Sequence, residues 1–209
     1  MAAKRRNRRR RRGRASFPLR FLCLLIVIAA IVAALTMFFR IDTIVVEGNA
    51  RYTDEQIIEA AGVQKEQNLV LLNKYNVKQA IFDQLPYVET VVINRKYPDA
   101  LILTVTECAA SAALPGAGGT WLVSDTGKIL ERTAQLPEGC VSVTGCELVE
   151  PAVGAQAAFS DEDSYKLDRL LTLLHAAEEK QLLSMIGSID LSDGTAITLT
   201  YLDRFTVRM

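Results

Sequence analysis

The sequence predicts an α+β protein hung from a single N-terminal transmembrane helix, with two small modules beyond it. Three observations carry this. Residues 21–39 read FLCLLIVIAAIVAALTMFF, nineteen positions without a charge between Arg20 and Arg40. Residues 41–107 then alternate strand and helix patterns, and from about residue 120 short β-branched runs dominate, broken by one long leucine-striped segment. The chain divides accordingly into a basic tail (1–20), a span (21–39), an αβ module (40–108) and a β-rich module (109–209).

At about 1.5 Å of rise per residue the span covers the roughly 30 Å hydrocarbon core of a bilayer. It ends in Met37-Phe38-Phe39-Arg40 with no small-residue cleavage site at that border, so it reads as an uncleaved anchor rather than a signal peptide. The flanking charge orients it. Ten of the 24 Lys and Arg precede Phe21, and the first forty residues hold no acid. Residues 41–209 hold 13 basic against 24 acidic residues. Lys and Arg beside a span stay on the cytoplasmic side, which places the N-terminus inside and both modules outside. The run RRNRRRRRGR (5–14) is therefore a topology signal that also suits an anionic lipid surface. A specific nucleic-acid site is the weaker reading: the run has no interleaved aromatics, and phosphate attraction alone carries no sequence specificity.

Within 41–107 the elements follow in the order β-α-α-β-β. IDTIVVEG (41–48) is a short β-branched strand closed by Gly48-Asn49. Thr53-Asp54-Glu55-Gln56 is a capping box, Ile57, Ile58 and Ala61 form the apolar side of the helix it opens, and Gly62 stops that helix. After NLVLLN (68–73), Asn76 is a candidate cap for a second helix carrying Val77, Ala80, Ile81 and Leu85, which Pro86 ends. YVETVVINR and ALILTVTE follow as a strand pair. Leu101, Leu103 and Val105 share one face of the second strand, against Ile102, Thr104 and Thr106 on the other, which suits a sheet with helices on one side.

In the second module, Leu114-Pro115-Gly116-Ala117-Gly118-Gly119 reads as a flexible joint or long turn. TWLVS and KILE flank a DTG reversal as a hairpin, and CVSVT is a further strand. A helix follows over 161–183, with Ser160 as cap and Leu167, Leu170, Leu171 and Leu174 recurring at i, i+3, i+4 and i+7. SIDLSDGTAITLTYL is strand, turn and strand, and RFTVR begins another.

The candidates for chemistry are sparse, and the expectation is a protein that is not an enzyme and uses no cofactor or metal. His175, the one histidine, flanks the leucine stripe. Asp161-Glu162-Asp163 suits the positive end of a helix, and Asp125 in its DTG turn lacks the second such loop an aspartic protease requires. Trp121 reads as core, or as an interface residue if exposed. Cys23 lies in the span. Cys140 and Cys146 bracket an extended VSVTG about 20 Å long, too far for a bridge.

VVEGN (45–49), NLVLLN (68–73), LPYVETVVINRKYPDALILTVTE (85–107) and LVSDTGKIL (122–130), in that order behind a basic tail and a single anchor, resemble the bacterial cell-division family FtsQ/DivIB. The first module would then be its POTRA domain. The chain departs from the family where Glu107 is followed by Cys108-Ala109-Ala110 instead of a basic residue and a proline. The resemblance implies a non-enzymatic scaffold in the cytoplasmic membrane at the division septum. Its expected partners are FtsB/DivIC-like and FtsL-like single-span proteins, in a complex that links division to septal wall synthesis. The alternative is a POTRA-type membrane-anchored chaperone or transport accessory module.

Ile93, Arg95 and Glu107 are candidate partner-binding residues on the first module, each with a plain solvated sheet face as its alternative. In this family a further helix and closing strands follow the RFTVR strand. The chain is therefore expected to be truncated there, leaving Arg204, Phe205 and Val207 on an open edge that invites strand addition.

The orientation is checked by adding protease to intact spheroplasts: the region after Arg40 is digested and the first twenty residues are spared. Protection of the C-terminal part would refute it.

Overall fold

The computed structural model describes residues 16–202 and 204–208. The basic run 5–14 and the role expected of it lie outside these residues. Helix α1 (Ser16–Phe38) contains the span, and every large apolar side chain from Phe21 to Phe38 is exposed, as in a helix meant to be solvated by lipid.

The first module holds β1 (Thr43–Glu47), α2 (Asp54–Ala61), α3 (Lys74–Gln84), β2 (Val88–Lys96) and β3 (Ala100–Glu107). Its sheet has the order β1-β3-β2, with β1 parallel and β2 antiparallel to the central β3. The alternation read in β3 is the alternation observed: Leu101 and Leu103 are fully buried and Val105 nearly so, whereas Thr106 faces solvent. Their apolar face packs with Ile57 of α2, Val77 and Ile81 of α3, and Leu69 of the connector in one core cluster. The opposite face carries Val45 and Val92, both exposed.

Local signals set the ends of these elements. Both halves of the capping box form: the Gln56 amide donates to the Thr53 hydroxyl and the Thr53 amide to the Gln56 side chain. Gly62 closes α2 at φ 62°. Gly48, at φ 85°, passes so close to β3 that an added Cβ would sit 2.3 Å from the Val105 carbonyl oxygen. That approach is open only to glycine. The start of α3 corrects the sequence expectation. Asn73, not Asn76, is its cap, accepting from the Tyr75 amide, so the helix begins a residue after NLVLLN ends. Two asparagines three apart offered the same chemistry, and the extended backbone at Asn73 decides between them.

The second module is a seven-stranded sheet of β4 (Ala112–Gly116), β5 (Gly119–Val123), β6 (Ile129–Thr133), β7 (Val141–Thr144), β8 (Ile186–Asp190), β9 (Thr198–Tyr201) and β10 (Phe205–Arg208), in the order β10-β9-β8-β7-β4-β5-β6. Helix α4 (Ser164–Glu179) covers it. Leu170 and Leu174 are fully buried against Leu114, Val123, Ile129, Val141 and Ile189, with Leu167 partly buried beside them.

Two expectations fail here. The Leu114–Gly119 stretch is not a joint. Leu114 is buried in β4, Pro115 pairs with Thr120, and only Ala117-Gly118 turns the chain. Pro115 is tolerated because its carbonyl, accepting from Leu148, is the group this position uses. Nor does α4 start at a Ser160 cap. Residues 160–163 form a turn closed by the Asp163 amide on the Ser160 carbonyl, and the helix begins at Ser164. The Asp163 carboxylate pairs with Lys166 at 2.7 Å and makes no cap bond.

Leu103→Asp would place an unpaired carboxylate between β3 and the helices, at a cost of several kcal/mol, comparable to a small module's whole stability. Amide exchange protection over 43–107 is expected to collapse while α1 stays protected. Unchanged protection would mean the strand faces are inverted.

Candidate partner-binding surfaces and the module junction

The sequence-singled residues fall in three places. Ile93 and Arg95 lie two apart on β2 and face the helices. Ile93 is buried in the first core, and its carbonyl accepts from Lys74 Nζ at 2.6 Å. The Arg95 guanidinium donates to the Leu72 carbonyl, tying β2 to the α2–α3 connector. Glu107 sits at the far end of β3. Its carboxylate accepts from the amides of Ala50, Arg51 and Tyr52 at 3.1, 2.6 and 3.1 Å, closing the loop between β1 and α2. The structure thus brings Ile93 and Arg95 together and leaves Glu107 apart; the Glu107 carboxylate is spent on loop amides, and Arg95 gives one bond to Leu72 while its Nε is buried without a partner.

Arg204, Phe205 and Val207 lie together at the other extreme. Arg204 stands in the turn entering β10, its amide on the Tyr201 carbonyl. Phe205 and Val207 pair with Tyr201 and Leu199 across the β9–β10 ladder and are 59% and 40% exposed. Among the described residues β10 is the edge of its sheet, and all four of its side chains face solvent.

A set of residues that sequence reasoning did not single out joins the two modules. Tyr87 packs in a third apolar cluster with Ala113, Leu122, Leu130 and Cys140 of the second module. Its hydroxyl donates to Glu131 at 2.8 Å, and the Arg51 guanidinium lies 3.7 Å from its ring centre. Burial, reinforced by the Glu131 carboxylate, raises the phenol's pKa above its ordinary value. Lys128, at the start of the β6 side of the hairpin, reaches back into the first module. It is buried, its Nζ donates to the Val88 carbonyl at 2.8 Å, and it lies 5.1 Å from the Phe82 ring centre. Burial lowers its pKa, while the neighbouring Glu89 carboxylate acts to keep it charged. Burial, with Glu89 next to it, pushes the Cys108 thiol up to about 11, so it is a protonated, sluggish nucleophile at neutral pH. The sequence reads Lys128 only as the first residue of the KILE strand, and the return of the hairpin onto β2 is what buries it.

Elsewhere chemistry is thin. His175 on α4 meets Asp125 of the β5–β6 turn, Nδ1 to Oδ2 at 3.1 Å, on an open surface, and that bond raises the imidazole's pKa. All four cysteines are free. Among the described residues no group of three or more His, Cys, Asp or Glu is arranged to hold a metal ion.

An apolar helix leading into a β-α-α-β-β module, followed by a mixed sheet with one covering helix, defines a membrane-anchored POTRA protein. Residues 39–107 match the family described as POTRA domain, FtsQ-type. The chain is 28% identical over 124 residues to cell division protein FtsQ of Corynebacterium glutamicum, a match covering 59% of this chain and 54% of that protein. It is 25% identical over 131 residues to cell division protein DivIB of Clostridium botulinum, covering 62% and 51% respectively. Against DivIB of Clostridium tetani it is 28% identical over 112 residues, covering 54% and 42%. The chain thus carries an FtsQ-type POTRA domain over residues 39–107 and is similar to the cell division proteins FtsQ and DivIB. It spans about half the length of the curated relatives it matches.

Lys128→Met should lower stability by about 1–3 kcal/mol, because it strips the Val88 carbonyl of its donor and removes a positive charge near Glu89, whose Oε2 is buried without a hydrogen-bond partner. Denaturant unfolding measures the loss. Adding Glu89→Gln should recover part of it, since a neutral amide tolerates that site better without the lysine. An unchanged midpoint in the single variant would show the junction to be held by its apolar cluster alone.

Proposed function

We propose that this chain is a non-enzymatic scaffold of the bacterial division complex, anchored in the cytoplasmic membrane at the septum with its N-terminus inside. Both modules face the wall. There they engage FtsB/DivIC-like and FtsL-like single-span proteins and link division to septal wall synthesis. The observation that carries the reading is the FtsQ-type POTRA domain set directly behind one apolar span. The relatives' shared name, cell division protein, supports the process.

The β10 edge is the proposed docking site. An extended partner segment added there would gain main-chain hydrogen bonds, with Phe205 and Val207 supplying apolar contact and Arg204 a charge at the rim. Ile93, Arg95 and Glu107 contribute to binding only by holding the first module in shape. This division of roles follows from exposure: a buried or internally bonded group has little left for a partner.

The double variant Phe205→Asp, Val207→Asp should fold normally, since both side chains are exposed, and should lose at least about tenfold in affinity for the FtsB/DivIC-like partner, the scale of a lost aromatic anchor. Co-purification from membranes and the midcell ring of a fluorescent fusion are the readouts. A uniform envelope signal from the wild-type fusion would instead favour the chaperone or transport-accessory role. Undiminished partner binding by the double variant would remove β10 from the interface.

A further inference from the structure

The connector between α2 and α3 presents its two most exposed apolar side chains beside the last turns of α1. Leu71 is 76% exposed and Val70 45%, yet both neighbours are fastened. Leu69 is fully buried, and its amide donates to the Phe39 carbonyl at 2.8 Å. Leu72 is packed against the first core, its carbonyl held by Arg95. Asn68 makes the turn. Its side-chain oxygen accepts from the amides of Val70 and Leu71 at 2.9 and 3.0 Å, and its side-chain nitrogen donates to the Thr36 carbonyl at 3.3 Å. A single side chain thus fixes the tip to the last turn of α1 and satisfies one of the carbonyls that a helix end leaves open.

Val70 and Leu71 form one wall of an open groove whose other wall is Val32, Leu35 and Phe39 of the anchor, and no charged residue lines it. Leu35 lies about 5 Å and Val32 about 9 Å below the end of α1, by helix rise. The apolar run is just long enough for a bilayer's hydrocarbon core, so it has no surplus turn to raise these positions into water. Tyr97, whose ring stacks edge-on against Phe39 at 5.5 Å, stands at the level of the helix end, where aromatic side chains gather at membrane interfaces.

We infer that the Val70–Leu71 tip is a lipid-inserted wedge: the outer-leaflet acyl chains of the membrane that holds α1 fill the groove, and the first module rests on the bilayer by this second, monotopic contact. The inference rests on α1 being a membrane anchor. The occupant follows from continuity, since one wall of the groove is the anchor itself at hydrocarbon depth. Penetration of 5–10 Å is the depth typical of interfacial apolar segments. The wedge removes the freedom of a module swinging on one helix, so the direction in which the second module points is set from the membrane surface.

The test uses the full chain in phosphatidylcholine–phosphatidylglycerol vesicles, with Trp121→Phe removing the native tryptophan. Leu71→Trp should show blue-shifted emission, quenched by lipid brominated near the top of its acyl chain by at least half as much as an Ile28→Trp control placed in the span. Adding Asn68→Ala should cut that quenching by loosening the tip. Emission at 71 that is water-like, or blue-shifted but unquenched because protein covers it, overturns the wedge while a quenched control leaves the anchor standing. An unquenched control overturns the anchor and the wedge with it.

Discussion

Burial of one face of β3 is the constraint on which the first module depends. Among the described residues β3 is the central strand of its sheet, with neighbours on both sides, and Leu101, Leu103 and Val105 give it a single apolar face. A sheet with one such face needs a cover, and α2 and α3 supply it on that side alone. The outer face is left half-wet, and the register with β1 and β2 cannot slip by one residue without exposing the core. Glu107 ends the strand by gathering three loop amides, so the element that organises the core also closes the β1–α2 loop.

From that end the chain passes directly into the second module, and the joint is not loose. The Cys108 amide donates to the Tyr87 carbonyl, Tyr87 enters an apolar cluster made mostly of second-module residues, and Lys128 returns to the Val88 carbonyl. A buried ammonium is costly unless its surroundings replace water. Here a carbonyl, an aromatic face and a nearby carboxylate do so. The junction combines apolar burial, which is nondirectional, with hydrogen bonds that accept one orientation. That combination suits a scaffold whose proposed partner edge, β10, lies in the module farther along the chain from the anchor.

The same logic operates at the membrane end. Carbonyls in the last turn of α1 lack intrahelical partners; Asn68 of the first module provides one for Thr36, and Leu69 bonds the Phe39 carbonyl just past the helix end. Arg95 belongs to this arrangement through Leu72, which explains a basic residue on the helix-facing side of a strand better than exposure to a partner would. A module fixed at its anchor and at its neighbour can transmit position along the chain without any catalytic group.

Periodicity and local chemistry were enough to read the anchor, the β-α-α-β-β order, the buried face of β3, the Thr53 capping box, the DTG hairpin and the leucine stripe of α4. Each depends on side chains within a few residues of one another, whose preferences survive whatever the rest of the chain does. The ambiguous cases were decided by tertiary contacts. Asn73 prevailed over Asn76 through the backbone that enters α3. Leu114–Gly116 became strand because β5 and β7 were there to pair with it, although glycine and proline alone suggest a joint. Ile93, Arg95 and Glu107 were chosen from the strand pair, but which of their atoms stay free depends on loops that return from elsewhere. Lys128, Tyr87 and Asn68 carried no local sign of importance, because their partners lie 40, 44 and 32 residues away in the chain and meet them only in the folded protein.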